Sequence, residues 1–479
     1  MSLPNYFFAD LPADATLSPA MINAACETLK RNRTKFLEPR KTADIVSLLC
    51  EVAAGWRQPD NKFRRLALAS ALDGEARTGE ATDGPCSGFS AAVLAHGLDD
   101  FFHRFTPGNF QALLDQDLGV GVETADTADS AHASRITHHA AHHAAHHAFW
   151  HGPQLLVHVA AGNLPNPALM SLTLGLLTRS AQFMKCSSGA SYLPRLFAHS
   201  IYEADPKLGA CLELAEWRGG KADLEAALFG EADAVTATGS DEALAAIRAR
   251  VPAAARFLGY GQRVSMEYVT REGLREETIA QLIASVADDV IAWDQNGCLS
   301  PHVIYVEEKG QVESDKFAEQ LAVELMRREM AEPRGPIPVA AAADIAARRS
   351  LYETLAAHRG DVKLWQSQNT TAWTVVFEHD VRFRLSPLNR FVFVKPVPDL
   401  ATVMQGVDEL KGKISTVAVA TSPERLREIA RQLARWGVTR ICRPGQMQNP
   451  PLTWRHDGRP ALGDLVIWTD FAAEESGGN

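Results

Sequence analysis

Four short segments hold most of the residues able to do chemistry in this 479-residue chain. The first, His158-Val159-Ala160-Ala161-Gly162-Asn163-Leu164-Pro165, ends an apolar run in an Asn163-containing turn. The second, Met184-Lys185-Cys186-Ser187-Ser188, ends another run on Lys185, Ser187 and Ser188. The third, Thr236-Ala237-Thr238-Gly239-Ser240, places Thr238, Gly239 and Ser240 before a helical pattern. The fourth, residues 293–301, sets Cys298 in a tight loop ahead of a further apolar run. Small residues at such ends let backbone N–H groups come close to a ligand. A G-x-G-x-x-G fingerprint is missing, and Gly259-Tyr260-Gly261 is too short to replace it. Cys298 is one of seven cysteines, with Cys26, Cys50, Cys86, Cys186, Cys211 and Cys442. They are scattered and contain no C-x-x-C pair, so reduced thiols are expected, of which one or two carry chemistry.

Histidine is concentrated at His132 and through 138–147. Imidazoles four apart share a helical face and can bind a divalent metal. No carboxylate or cysteine stands in register to complete a site, so 119–150 reads as a solvated, low-complexity helical insert without a metal. The 46% apolar and 22% charged fractions are those of a soluble globular protein. A formal net charge of -10 argues against a nucleic-acid partner, which needs a basic face. The first 22 residues lack the basic leader and apolar core of a signal peptide. The most apolar stretch, 155–177, is interrupted by His158, Asn163, Pro165 and Pro167 and makes a poor membrane span. A cytoplasmic location is therefore expected.

The elements that must position these segments alternate. The first 120 residues read mainly as helices. Strands are then expected at 155–161, 181–186, 211–217 and 232–237, with helices at 167–178, 192–202, 222–229 and 241–250 between and after them. A helix at 276–293 leads through Cys298 to a strand at 302–306, followed by helices at 315–330 and 344–357 and strands at 371–377 and 391–394. Such a rhythm implies parallel strands with ligands at their carboxyl ends. Two α/β domains with a cleft between them is the simplest architecture.

The order and separation of the four segments resemble the aldehyde dehydrogenase superfamily, and within it the lux-type fatty acyl-CoA reductase of bacterial bioluminescence. The branch is suggested by the Gly162-Asn163 turn, by Asp294-Gln295 with Cys298-Leu299-Ser300-Pro301, by Leu388-Asn389-Arg390 running to Lys395-Pro396, and by the tail from Trp454 to Leu462 and on to Trp468. The likeness covers about 150–470. It implies a Rossmann-type cofactor domain over 1–265, an α/β catalytic domain over 266–444, an active site between them, and a C-terminal tail over 445–479.

By this resemblance Cys298 is the nucleophile. A thiolate that takes an acyl group gives a thioester, electrophilic enough to accept hydride. A free thiol titrates at about 8.5, so backbone dipoles or a base must assist it. Asn163 corresponds to the family asparagine that, with the cysteine's own N–H, holds the oxyanion; a turn-forming role is the plainer account. Lys185 corresponds to the lysine on the adenosine ribose. Relatives preferring NAD place a glutamate just beyond it, where this chain has Ser187, Ser188 and Gly189. That favours NADPH over NADH. Thr238, Gly239 and Ser240 fall near the pyrophosphate or nicotinamide, with a helix N-cap as the plainer account.

Departures from the superfamily set the direction of the reaction. The general-base glutamate of hydrolytic members is missing from Arg256-Phe257-Leu258-Gly259-Tyr260-Gly261, and Glu267 is the nearby substitute, otherwise a strand-face carboxylate. Leu385-Ser386-Pro387-Leu388-Asn389-Arg390 replaces the motif that usually contacts the nicotinamide ribose. Asp457-Gly458 reads as a hairpin or turn, and His456 has no local partner to orient it as an acid or base. The expectation is an NADPH-dependent acyl-thioester reductase yielding an aldehyde, with acyl-CoA or an acylated partner protein as donor, working as a homo-oligomer. The alternatives are an aldehyde dehydrogenase acting oxidatively and a non-catalytic scaffold or metal-buffering protein built on the histidine tract.

Overall fold

A computed structural model describes residues 3–12, 14–75, 88–119, 123–124 and 147–471. The histidine tract falls largely within 125–146, outside the described residues. The chain forms two compact units, one from 1–64, 102–261 and 451–479, the other from 65–101 and 262–450.

The first unit carries strands β1 (Glu123–Thr124), β2 (His147–His151), β3 (Leu155–Val159), β4 (Ala181–Cys186), β5 (Leu212–Glu216), β6 (Ala234–Thr238) and β7 (Arg256–Tyr260). β3 to β7 make a fully parallel sheet in the order β5-β4-β3-β6-β7. Both faces of its central strands are covered, and β3 and β4 are accordingly buried at nearly every position. Leu155, Val157 and Phe183 pack under helices Pro19–Asn32 and Ala222–Gly230, while Leu156 faces Leu174 of Asn166–Leu177 and Leu465 of the tail. The chain moves outward from β3 to β4 and β5, then returns to β6 on the other side. The strand order therefore reverses between β3 and β6, the position at which open α/β sheets bind ligands.

The second unit carries β8 (Val264–Val269), β9 (Pro301–Glu307), β10 (Val362–Gln366), β11 (Thr374–Glu378), β12 (Phe391–Val397), β13 (Ile414–Ala420) and β14 (Arg440–Cys442). They form one sheet in the order β10-β11-β12-β9-β8-β13-β14, with the edge strand β10 alone antiparallel to its neighbour. Helices Ile279–Ile291 and Ser314–Ala331 cover one face, and Val339–His358 and Pro423–Arg435 the other. The tail ends in β15 (Ile467–Phe471), antiparallel to β2. No helix among the described residues is long and apolar enough to cross a membrane.

Strands β1, β2, β7, β10, β13, β14 and β15 were not expected from local sequence, and β1 and β2 lie at least partly within 119–150, which reads as a helical insert. The Arg256 segment contains two glycines, β10 alternates with polar residues, and Ile414-Ser415-Thr416 opens β13 on hydroxyls. Their strand state is set by neighbours in the sheet.

Candidate functional site

Cys298 lies just before β9, at the amino end of that strand, where the loop ahead of an apolar run implied it would be. The helix Ile279–Ile291 runs into a left-handed turn, with Trp293, Asp294 and Gln295 at φ 53°, 49° and 64°. Left-handed backbone costs non-glycine residues roughly 1–2 kcal/mol each, so three in a row persist only if their side chains are held. All three are buried. Trp293 packs edge-to-face on Phe89 at 5.2 Å and against Gly97, where a Cβ would come within 2.2 Å of its ring. Asp294 accepts from Gly335 N–H at 3.0 Å and pairs with Arg390 Nη2 at 2.8 Å. Gln295 donates to the carbonyls of Pro301 and Phe391 and accepts from Phe391 N–H, each at 2.8 Å.

The opposing segment is strained in the same way. Leu388, Asn389 and Arg390 have φ 61°, 56° and 66°. Two left-handed turns thus lock together through the Asp294–Arg390 pair, which is 2% and 1% exposed. Burial pushes the Asp294 carboxyl up even with the guanidinium beside it. The segment replacing the usual ribose-contacting motif serves here to clamp the cysteine loop.

Past this clamp the loop is fixed from two further sides. The Ser265 hydroxyl donates to the Cys298 carbonyl at 2.8 Å. Gln448 Nε2 donates to Ser300 Oγ at 2.6 Å and lies so near Gly297 that a Cβ there would fall 2.3 Å from it. Cys298 itself is exposed. The other described cysteines differ: burial pushes Cys26, Cys186, Cys211 and Cys442 up to about 12, and Cys50 upward. They stay thiols at neutral pH, and a thiol is a poor nucleophile.

In the first unit, the predicted cofactor residues gather along one edge of the parallel sheet. Asn163 follows β3, Lys185 is the last residue but one of β4 with Ser187 and Ser188 beyond the strand, and Thr238 ends β6 before Gly239 and Ser240. Gly162 and Asn163 are exposed, and a Cβ on Gly162 would lie 2.9 Å from Ser187 Oγ, so the β3 and β4 turns touch. Lys185 is 8% exposed, and burial lowers its pKa. Ser240 is the N-cap of Asp241–Arg248, its hydroxyl accepting from Ala243 N–H at 3.2 Å. The reversal of strand order between β3 and β6, the close-approaching Gly162 and Lys185 near the carboxyl end of β4 fit a dinucleotide; Pro165 and Pro167, which lack N–H groups, weaken the first helix as a phosphate site.

Glu267 sits on β8, fully buried, with no hydrogen-bond partner for either oxygen among the described residues. Burial, together with Asp289 nearby, raises its pKa well above the usual carboxylate range and favours the protonated form. His456 lies in the 3-10 turn His456–Gly458 and is stacked between Tyr260 and Trp454, each centroid 4.6 Å away, which ties the tail to β7. No group of three potential metal ligands occurs among the described residues. The residues missed from sequence are Ser265, Gln448 and the clamp role of Asp294, Gln295 and Arg390. The quoted Asp294-Gln295 and Asn389-Arg390 pairs contained the signal, but nothing local indicated that they face each other.

Comparison with known proteins fits this geometry. The family model described as acyl-CoA reductase (LuxC) matches residues 38–468. Long-chain acyl-protein thioester reductase 2 of Photobacterium leiognathi is 25% identical over 317 residues, covering 65% of this chain and 62% of that protein. The long-chain acyl-protein thioester reductase of Aliivibrio fischeri is 25% identical over 316 residues, with the same coverage. The match thus spans 62% of the length of these relatives. Among solved structures, an NAD-dependent benzaldehyde dehydrogenase from Corynebacterium glutamicum superposes with TM-score 0.65 at 13% identity, covering 98% of this chain and 94% of that one. The delta-pyrroline-5-carboxylate dehydrogenase of Mycobacterium tuberculosis gives 0.61 at 12% identity, covering 96% and 84%. The chain has the aldehyde dehydrogenase fold and belongs to the acyl-CoA reductase (LuxC) family.

Proposed function

We propose that this protein reduces an acyl thioester to an aldehyde through an acyl-Cys298 intermediate. The observation that carries the reading is the exposure of Cys298 on a clamped loop while burial disables the other described thiols. The family match supports it. The Cys298 thiolate attacks the donor's carbonyl carbon and expels the donor thiolate, which takes up a proton. A nicotinamide dinucleotide, when bound, supplies the hydride that reduces the Cys298 thioester. The resulting thiohemiacetal oxyanion reforms its carbonyl, releasing aldehyde and the Cys298 thiolate. The net reaction consumes one thioester, one reduced nicotinamide and one proton, and yields aldehyde, thiol and oxidised nicotinamide.

Asn163 and the Cys298 N–H are proposed as the oxyanion donors; losing one such donor costs roughly 3–4 kcal/mol of transition-state stabilisation. Lys185, Ser187, Ser188, Thr238, Gly239 and Ser240 would hold the dinucleotide. With no acid in the turn 187–189, Lys185 favours NADPH over NADH. The donor is acyl-CoA or an acyl-carrying protein; the similarity to long-chain acyl-protein thioester reductases favours the protein. A cytoplasmic homo-oligomer fits the reading.

The oxidative alternative needs a water-activating carboxylate, and Glu267 is fully buried on β8, where burial disfavours its ionised form. The test is NADPH oxidation with a panel of acyl-CoAs and an acylated carrier protein, wild type against Cys298→Ala. Turnover that the substitution abolishes is expected. Unchanged turnover in Cys298→Ala, or nicotinamide reduction with aldehydes alone, would overturn the proposal.

A further inference from the structure

The turn after β4 lacks an acid in sequence, yet the fold brings one to it. Cys186 and Glu216 are register partners, each the last residue of its strand, so β4 and β5 end side by side. Glu216 Oε1 accepts the Gly189 N–H at 2.7 Å. Gly189 has φ 79°, and a Cβ built on it would meet nothing within 4 Å, so the outer side of this turn is open. Ser188 beside it is exposed and Glu216 is half-buried.

The charges around this corner are unevenly paired. Glu225 bonds Arg250 and accepts from Gly220 N–H at 2.8 Å. Glu216 has no ion-pair partner among the described residues, and its Oε2 makes no hydrogen bond among them. Lys185 feels the charges of Glu225 and Glu216, and both oppose the lowering of its pKa by burial. The corner therefore offers a ligand Lys185 and a carboxylate oxygen on Glu216 that no described residue holds.

We infer that Glu216 sets the choice between NADPH and NADH, an inference that rests on the nicotinamide reading proposed above. Its free oxygen accepts a hydrogen bond from a ribose 2′-hydroxyl and opposes a 2′-phosphate, the role an acid at a strand end plays in dinucleotide sites. Lys185 acts in the opposite sense. The two together leave the protein able to use NADH alongside NADPH, so the preference that the acid-free turn implies is moderated by the neighbouring strand.

The test is direct binding of NADPH and of NADH to the full chain, followed by nucleotide fluorescence, for wild type, Glu216→Gln and Glu216→Asp. Glu216→Gln is expected to raise the ratio of NADPH to NADH affinity by about tenfold or more, through loss of both the repulsion and a charged hydrogen bond. Glu216→Asp keeps the charge and should stay within about threefold of the wild-type ratio. An unchanged ratio in Glu216→Gln, with both nucleotides still binding, overturns the inference and leaves the nicotinamide reading intact. An equal shift in both variants also overturns it, because the charge would then not be the cause. Wild type that binds neither nucleotide overturns the nicotinamide reading itself.

Discussion

Arg390→Met removes the guanidinium that balances Asp294, and the cost follows from what remains. Asp294 keeps the Gly335 N–H at 3.0 Å and the charge of Arg334 while staying 2% exposed. Arg390 Nη1 also gives up Glu329 and the Glu332 carbonyl, each at 2.8 Å. Breaking one side of a buried ion pair costs roughly 3–5 kcal/mol, because the surviving charge is stranded. At about 2–4 °C per kcal/mol for a body of this size, the melting temperature should fall by about 6–20 °C. Asp294→Asn added to Arg390→Met removes the stranded charge and keeps an acceptor for Gly335, so the double variant should regain roughly 2 kcal/mol of the loss. Thermal unfolding by circular dichroism measures all three proteins. A loss below about 1 kcal/mol in Arg390→Met, or a double variant no more stable than that single one, would refute the clamp as a charge-balanced unit.

Two shorter predictions come from the same unit. Glu267→Gln should leave reductase turnover within about threefold of wild type and should stabilise the protein more at pH 8 than at pH 5. The native carboxyl keeps its proton above pH 4.5 while the unfolded one ionises, so wild-type stability falls by about 1.4 kcal/mol per pH unit until the raised native pKa is reached, and the amide removes that loss. Denaturant titrations at the two pH values check the sign, and abolished turnover would instead make Glu267 part of the chemistry. Gly297→Ala forces a methyl onto Gln448, and overpacking of this kind costs about 1–3 kcal/mol. Steady-state kinetics should show kcat down by about tenfold or more with loop misplacement, and Gln448→Ala in the same chain should restore much of it; absence of that rescue would contradict the contact.

How much of this was legible in the sequence follows from which forces are local. β4 was read as 181–186 and observed as Ala181–Cys186, because a strand buried on both faces writes itself as an apolar run. β13 was missed because Ser415 and Thr416 interrupt that signal, although all three opening residues are buried. The cysteine loop was found from its motif, and its clamp was not, since Asp294 and Arg390 are 96 residues apart and three left-handed residues in a row, in each of two turns, go against backbone preference. Absence of an acid after Lys185 was correctly read along the chain, yet the fold supplies Glu216 from 27 residues beyond Gly189. Linear motifs report what one strand end carries, whereas a parallel sheet assembles a site from several.

The central claim is a covalent acyl group on Cys298, and the most direct measurement is mass spectrometry of the protein after incubation with an acyl thioester and no nicotinamide. The account predicts a mass increase of one acyl group, located on the peptide containing Cys298, absent from Cys298→Ala, and released as aldehyde when NADPH is added. An unmodified Cys298 peptide, or an acyl group on another cysteine that NADPH then discharges, would contradict it.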